Sequence, residues 1–66
     1  MGTIMKDRKG IVIQKGDTVK VDLPGFENFT GKIIDFVGKF VSVQDNDYDM
    51  SYEILPEYIT IQTLIL

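Results

Sequence analysis

The chain contains no cysteine and no histidine. Without thiols there is no disulfide framework, and without thiolate or imidazole there is no ordinary zinc site, since those ligands complete most tetrahedral zinc shells. The same absences remove the two commonest players of nucleophilic and acid-base catalysis, and neither Ser42 nor Ser51 has an evident base. The expectation is a chain without catalytic residues, metal or cofactor. No apolar run approaches the roughly 20 residues of a membrane span. The opening "MGTIMKDRKG" has no signal-peptide core. We therefore expect a soluble, cytoplasmic protein with no membrane partner. Gly2 sits as in a myristoylation start, but Lys6 stands where Ser or Thr is wanted, and the sequon Asn28-Phe29-Thr30 matters only in a secreted chain.

No base follows Lys39. Residues 1–39 hold seven bases (Lys6, Arg8, Lys9, Lys15, Lys20, Lys32 and Lys39) against five acids (Asp7, Asp17, Asp22, Glu27 and Asp35), a net +2. Residues 40–66 hold only acids (Asp45, Asp47, Asp49, Glu53 and Glu57), a net −5, giving −3 overall. Such segregation bears on partners wherever the fold keeps the two halves apart. At 66 residues the chain is one small domain that buries only about 60% of its unfolded surface, which leaves little room for an enclosed active site.

No helix-period segment of useful length is present either. What is present is alternation: in "TVKVDL", Val19, Val21 and Leu23 alternate with Thr18, Lys20 and Asp22, the pattern of a half-buried strand. Pro24-Gly25 stops it, and a short loop leads into "FTGKIIDFV". There Phe29, Gly31 and Ile33 share one face and Ile34 and Phe36 the other, which predicts a bend or bulge with close backbone approach at Gly31. Gly38-Lys39 predicts a type II′ hairpin into "FVSVQD", with Val41 and Val43 inward and Phe40, Ser42 and Gln44 outward. "SYEIL", with Tyr52 and Ile54 on one face, and "ITIQT", after a tight turn at "PEY", complete the set. The expectation is an all-β fold, a single small SH3-like barrel of five antiparallel strands, six if "GIVIQ" also pairs. Residues 1–9 are expected to be a flexible basic N-terminus and residues 10–66 the barrel. The apolar tail "TLIL" is expected either to pair with "GIVIQ" or to join chains into an oligomer.

The stretch "KGDTVKVDLPGFENFTGKIIDF" resembles the KOW motif through Gly16, Val19, Val21, Gly31 and Ile33, over about a third of the chain. That resemblance implies an SH3-like barrel and contact with RNA or with the transcription or translation machinery. The loop "DLPGFENFT" carries Asp22, Glu27 and two phenylalanines, where RNA-contacting loops of the family are usually basic and glycine-rich. "ILPEYITI" is similar to the turn before the last strand of SH3 domains, with Pro56 and Tyr58 in the place of groove-lining residues.

In "QDNDYDMSYE", Asp45, Asp47 and Asp49 begin like an EF-hand loop, but Met50 stands where its glycine is required and Pro56 where its glutamate is. The leading expectation is binding to another protein with a basic surface. It rests on Phe40, Tyr48, Tyr52 and Tyr58 rimmed by Asp45, Asp47 and Asp49, with Glu53 and Glu57 nearby, since tyrosines give contact area and carboxylates steer cations. The alternative is a nucleic-acid platform of Lys15, Lys20, Lys32 and Lys39 interleaved with Phe26 and Phe29. A third class, a small structural or inhibitory viral protein, fits the compact acidic chain.

Overall fold

A computed structural model describes residues 4–62, and they are all-β. The strands are β1 (Met5–Lys6), β2 (Val12–Ile13), β3 (Thr18–Val21), β4 (Phe29–Val37), β5 (Phe40–Asp45), β6 (Ser51–Ile54) and β7 (Ile59–Ile61), with a 3-10 turn at Pro56–Tyr58. β1 and β2 pair as a small hairpin, and the other five form one antiparallel sheet in the order β6-β5-β4-β3-β7. The tail "TLIL" lies outside the described residues.

Period-two alternation builds the core. Val19 and Val21 of β3, Ile33 of β4, Val41 and Val43 of β5, Ile54 of β6 and Ile59 of β7 are all buried on one face, with Met5 and Ile13 joining from the hairpin. The switch of faces along β4 is resolved by a bulge. Pairing runs Ile33 with Val43 and then Asp35 with Ser42, so Ile34 is an extra residue on the outer side. Phe36 then pairs with the buried Val41 and packs against the core, whereas Ile34 is exposed; the two do not share a face as their spacing predicts.

The turn at Gly38-Lys39 has the expected geometry. Gly38 has φ +58° while Lys39, like every non-glycine residue described, does not, as type II′ requires. At Gly31 β5 leaves no room for a side chain, since a Cβ there would lie 2.6 Å from Val43 Cγ1 and collide with the Gln44 carbonyl oxygen.

The basic N-terminal segment differs from expectation. Met5 is buried, "GIVIQ" pairs with Met5–Lys6, and Asp7 is only 5% exposed. Its Oδ1 accepts the Lys9 and Ile11 N–H groups and its Oδ2 accepts that of Ile61, while Arg8 N–H donates to the Ile59 carbonyl. Residues 5–8 are thus anchored to β7, because a buried carboxylate is held where backbone donors converge on it. Desolvation pushes the Asp7 carboxyl up, but the hydrogen bonds from Ile61, Ile11 and Lys9, with the Lys9 charge, together hold it below its ordinary 3.8.

Candidate functional site

In an up-and-down sheet alternate connections emerge at the same end. The β3–β4 connection and the β5–β6 connection therefore stand side by side, tied by a hydrogen bond from Asn46 N–H to the Thr30 carbonyl. Between them lies an open groove of about 530 Å³. From the first connection and the start of β4 it takes Leu23, Phe26, Glu27, Asn28 and Phe29; from the second and its flanking strands it takes Asp45, Asp47, Tyr48 and Tyr52. The Phe29 and Tyr52 rings pack at 5.6 Å, tilted by 56°, and form its base. Phe26 and Tyr48 project from the two walls, 74% and 67% exposed.

Local hydrogen bonds shape the acidic wall. Asp45 Oδ1 accepts the Asp47 N–H, Asp49 Oδ1 accepts from Gln44 Nε2, and Asp45 N–H donates to the Met50 carbonyl at the mouth of the hairpin. Tyr52 hydroxyl reaches Met50 Sδ at 3.8 Å. Among the described residues no three carboxylates converge as metal ligands would. The charges instead spread along the rim, with Glu27 on one wall and Asp45 and Asp47 on the other.

The two residue sets expected to be alternatives are redistributed. The groove combines Asp45, Asp47, Tyr48 and Tyr52 of the protein-binding set with Phe26 and Phe29 of the nucleic-acid set. Phe40 begins β5, roughly 17 Å along the strand from Asp45 at its end, and is half-buried with Lys39 Nζ 5.6 Å above its ring. Tyr58 packs against the core from the 3-10 turn and is no free surface ring. Asp49 is outside the groove.

None of the four lysines lines it. Lys20 and Lys32 are exposed on the outer face of β3 and β4, opposite to Phe29, which pairs with the inward Val21. Lys15 Nζ lies 3.4 Å from Asp35 Oδ1, and Lys39 sits in the hairpin turn at the other end of the sheet. The Asp35 carboxyl is held below its ordinary value by the Phe36 N–H and then by Lys15. Lys20 and Lys32 are thus separated from Phe29 by the sheet, because strand alternation sends neighbouring residues to opposite faces.

Sequence reasoning did not pick out Glu27 as a groove residue. The available signal was its position beside Phe26 in a connection sharing its end of the sheet with "DNDYDM". No protein-family model, curated protein or solved structure matches the chain. Among the described residues no helix is long and apolar enough to cross a membrane.

Proposed function

We propose that the chain is a non-enzymatic, cytoplasmic interaction module on an SH3-like barrel, whose groove takes a basic segment of a protein partner. The barrel reading is supported by the return of β7 to the side of β3 directly after the Pro56–Tyr58 turn, where the resemblance of "ILPEYITI" sets the last strand. The functional reading rests on one observation. Four aromatic rings and three carboxylates share a single open groove that contains no base. Ring faces and carboxylates both attract a lysine ammonium or an arginine guanidinium, and a polyanionic backbone is repelled there.

The test is a titration of the labelled chain, followed by amide shifts, with an acetylated lysine- and arginine-rich decapeptide. Shifts should centre on Phe26, Phe29, Asp47, Tyr48 and Tyr52. Tyr48→Ala combined with Asp47→Lys should weaken binding by about 2 kcal/mol, roughly 30-fold, with the melting temperature unchanged. Salt-sensitive shifts at Lys20 and Lys32 on adding a single-stranded oligonucleotide, with none in the groove on adding the peptide, would overturn this reading in favour of nucleic acid.

A further inference from the structure

The two outer edges of the five-stranded sheet are finished differently. On β7 two of the backbone groups facing away from β3 are met from within the chain: the Ile59 carbonyl accepts Arg8 N–H at 2.9 Å, and Ile61 N–H donates to Asp7 Oδ2 at 3.0 Å. Among the described residues β6 has no such cover. The bond from Asp45 N–H to the Met50 carbonyl, 2.9 Å, sets the phase of the β5–β6 ladder. Alternation then makes Val43–Tyr52 and Val41–Ile54 the hydrogen-bonded pairs, and Gln44–Ser51 and Ser42–Glu53 the unbonded ones. The N–H and C=O groups of Ser51 and Glu53 consequently point away from β5. β6 ends the sheet, its residues 51–53 are exposed, and no partner meets those four groups among the described residues.

Resting on the groove reading, we propose that this edge is where the partner docks. An extended basic segment adds beside β6 as a further strand, its backbone bonding Ser51 and Glu53 and its alternate lysine or arginine side chains entering the groove. Alternation supplies the coupling. Side chains of an added strand on the same face as Tyr52 stand about 5 Å from it, across its ring from Phe29, on the face that carries the groove and its Asp45 and Asp47 carboxylates. Side chains on the opposite face meet Glu53. A second copy of this chain is a poorer occupant, since antiparallel pairing of β6 with itself about a two-fold axis brings the Glu53 carboxylates of both copies into one ladder. A basic strand turns the same carboxylates into attractions.

The test compares a nonapeptide of alternating lysine and threonine with the same peptide N-methylated at every second backbone amide, in both phases. One phase should bind like the parent and the other at least about tenfold more weakly, since it removes the strand-pairing donors. The parent should also slow exchange of the Ser51 and Glu53 amides. Glu53→Pro removes an outward N–H that the β5 ladder does not use, so it should fold and lose the same affinity. Equal binding of all three peptides, with groove shifts intact, overturns edge docking and leaves the groove reading standing. No groove shift with any of them overturns both. Ser51 and Glu53 amides already protected in the free chain also overturn it, and sedimentation then tells a self-paired dimer from a monomer that covers its own edge.

Discussion

Replacing Asp7 should do more damage than any other single change of a charged residue among those described. Its carboxylate receives three backbone N–H groups, from Lys9, Ile11 and Ile61, at 2.9, 2.9 and 3.0 Å. The first two close the turn between β1 and β2, and the third joins that hairpin to β7. Hydrogen bonds to a charged acceptor contribute about 1.5–3 kcal/mol each, and a buried donor left without one costs about 1–3 kcal/mol. Some of the orphaned amides will reach water, so Asp7→Ala should destabilise by about 4 kcal/mol. A chain of 66 residues has about 3–10 kcal/mol of stability in total, which makes this the difference between folded and marginal. Asp7→Asn separates the parts: its oxygen can keep the turn, but its NH₂ then confronts the Ile61 N–H. We expect about 2 kcal/mol for it.

Urea unfolding at pH 7 reads both values, and hydrogen exchange at Ile61 reports the lost joint directly. Acidity supplies a second check. The folded Asp7 carboxyl titrates below its ordinary 3.8, so its contribution is complete above that value and is lost as pH falls through the folded one. The gap between parent and Asp7→Asn should therefore be constant above about pH 5 and narrow in the range below 3.8. Two variants within about 0.5 kcal/mol of the parent at pH 7, or a gap that does not change with acid, would refute the anchoring role.

Gly31→Ala drives a methyl group into Val43 Cγ1 and the Gln44 carbonyl, neither of which is a flexible chain end, and should lower stability by about 2–3 kcal/mol in thermal or urea unfolding. Tyr52→Ala removes the ring that packs on Phe29 and should cost about 1–2 kcal/mol, whereas Tyr48→Ala, with its ring in solvent, should stay within about 0.5 kcal/mol of the parent. Equal effects of the two tyrosines on unfolding would show that the groove base is not packed as described.

What could be read from the sequence was whatever depends on near neighbours. The alternation of Val19 with Val21 and of Val41 with Val43, the glycine-first turn at Gly38, and the crowding at Gly31 are set by residues close by or directly across one strand pair. Asp7 was illegible for the opposite reason. In "MKDRKG" it reads as one charge in a solvated arm, and its burial depends on the amide of Ile61, 54 residues on. The groove was half legible: each connection shows its acids and rings, but their meeting depends on the order of the strands. Tyr58 packs against the core because a small core draws rings partly under cover where a turn brings them near, and Phe40 stands apart from the groove because it begins β5 at the other end of the strand.

The bulge in β4 offers the sharpest check on register. Deleting one residue from a strand normally turns every later side chain to the wrong face. Here Ile34 is the residue left over when pairing passes from Ile33–Val43 to Asp35–Ser42. Removing it restores unbroken alternation, with Ile33 and Phe36 still inward, Asp35 still outward and the Gly38 turn undisturbed. The loss is the local bend that a bulge imposes, of the order of 1–2 kcal/mol. Deleting Lys32 instead, two positions earlier, sets the Gly31 and Phe29 side of the strand out of phase with Val43 and Asp45 and takes the groove base with it. The chain without Ile34 should keep a dispersed amide spectrum and cooperative unfolding, while the chain without Lys32 should lose both. Two deletions that behave alike would mean that the strand tolerates slippage throughout, and the assignment of Phe29 and Ile33 to one face would fall with it.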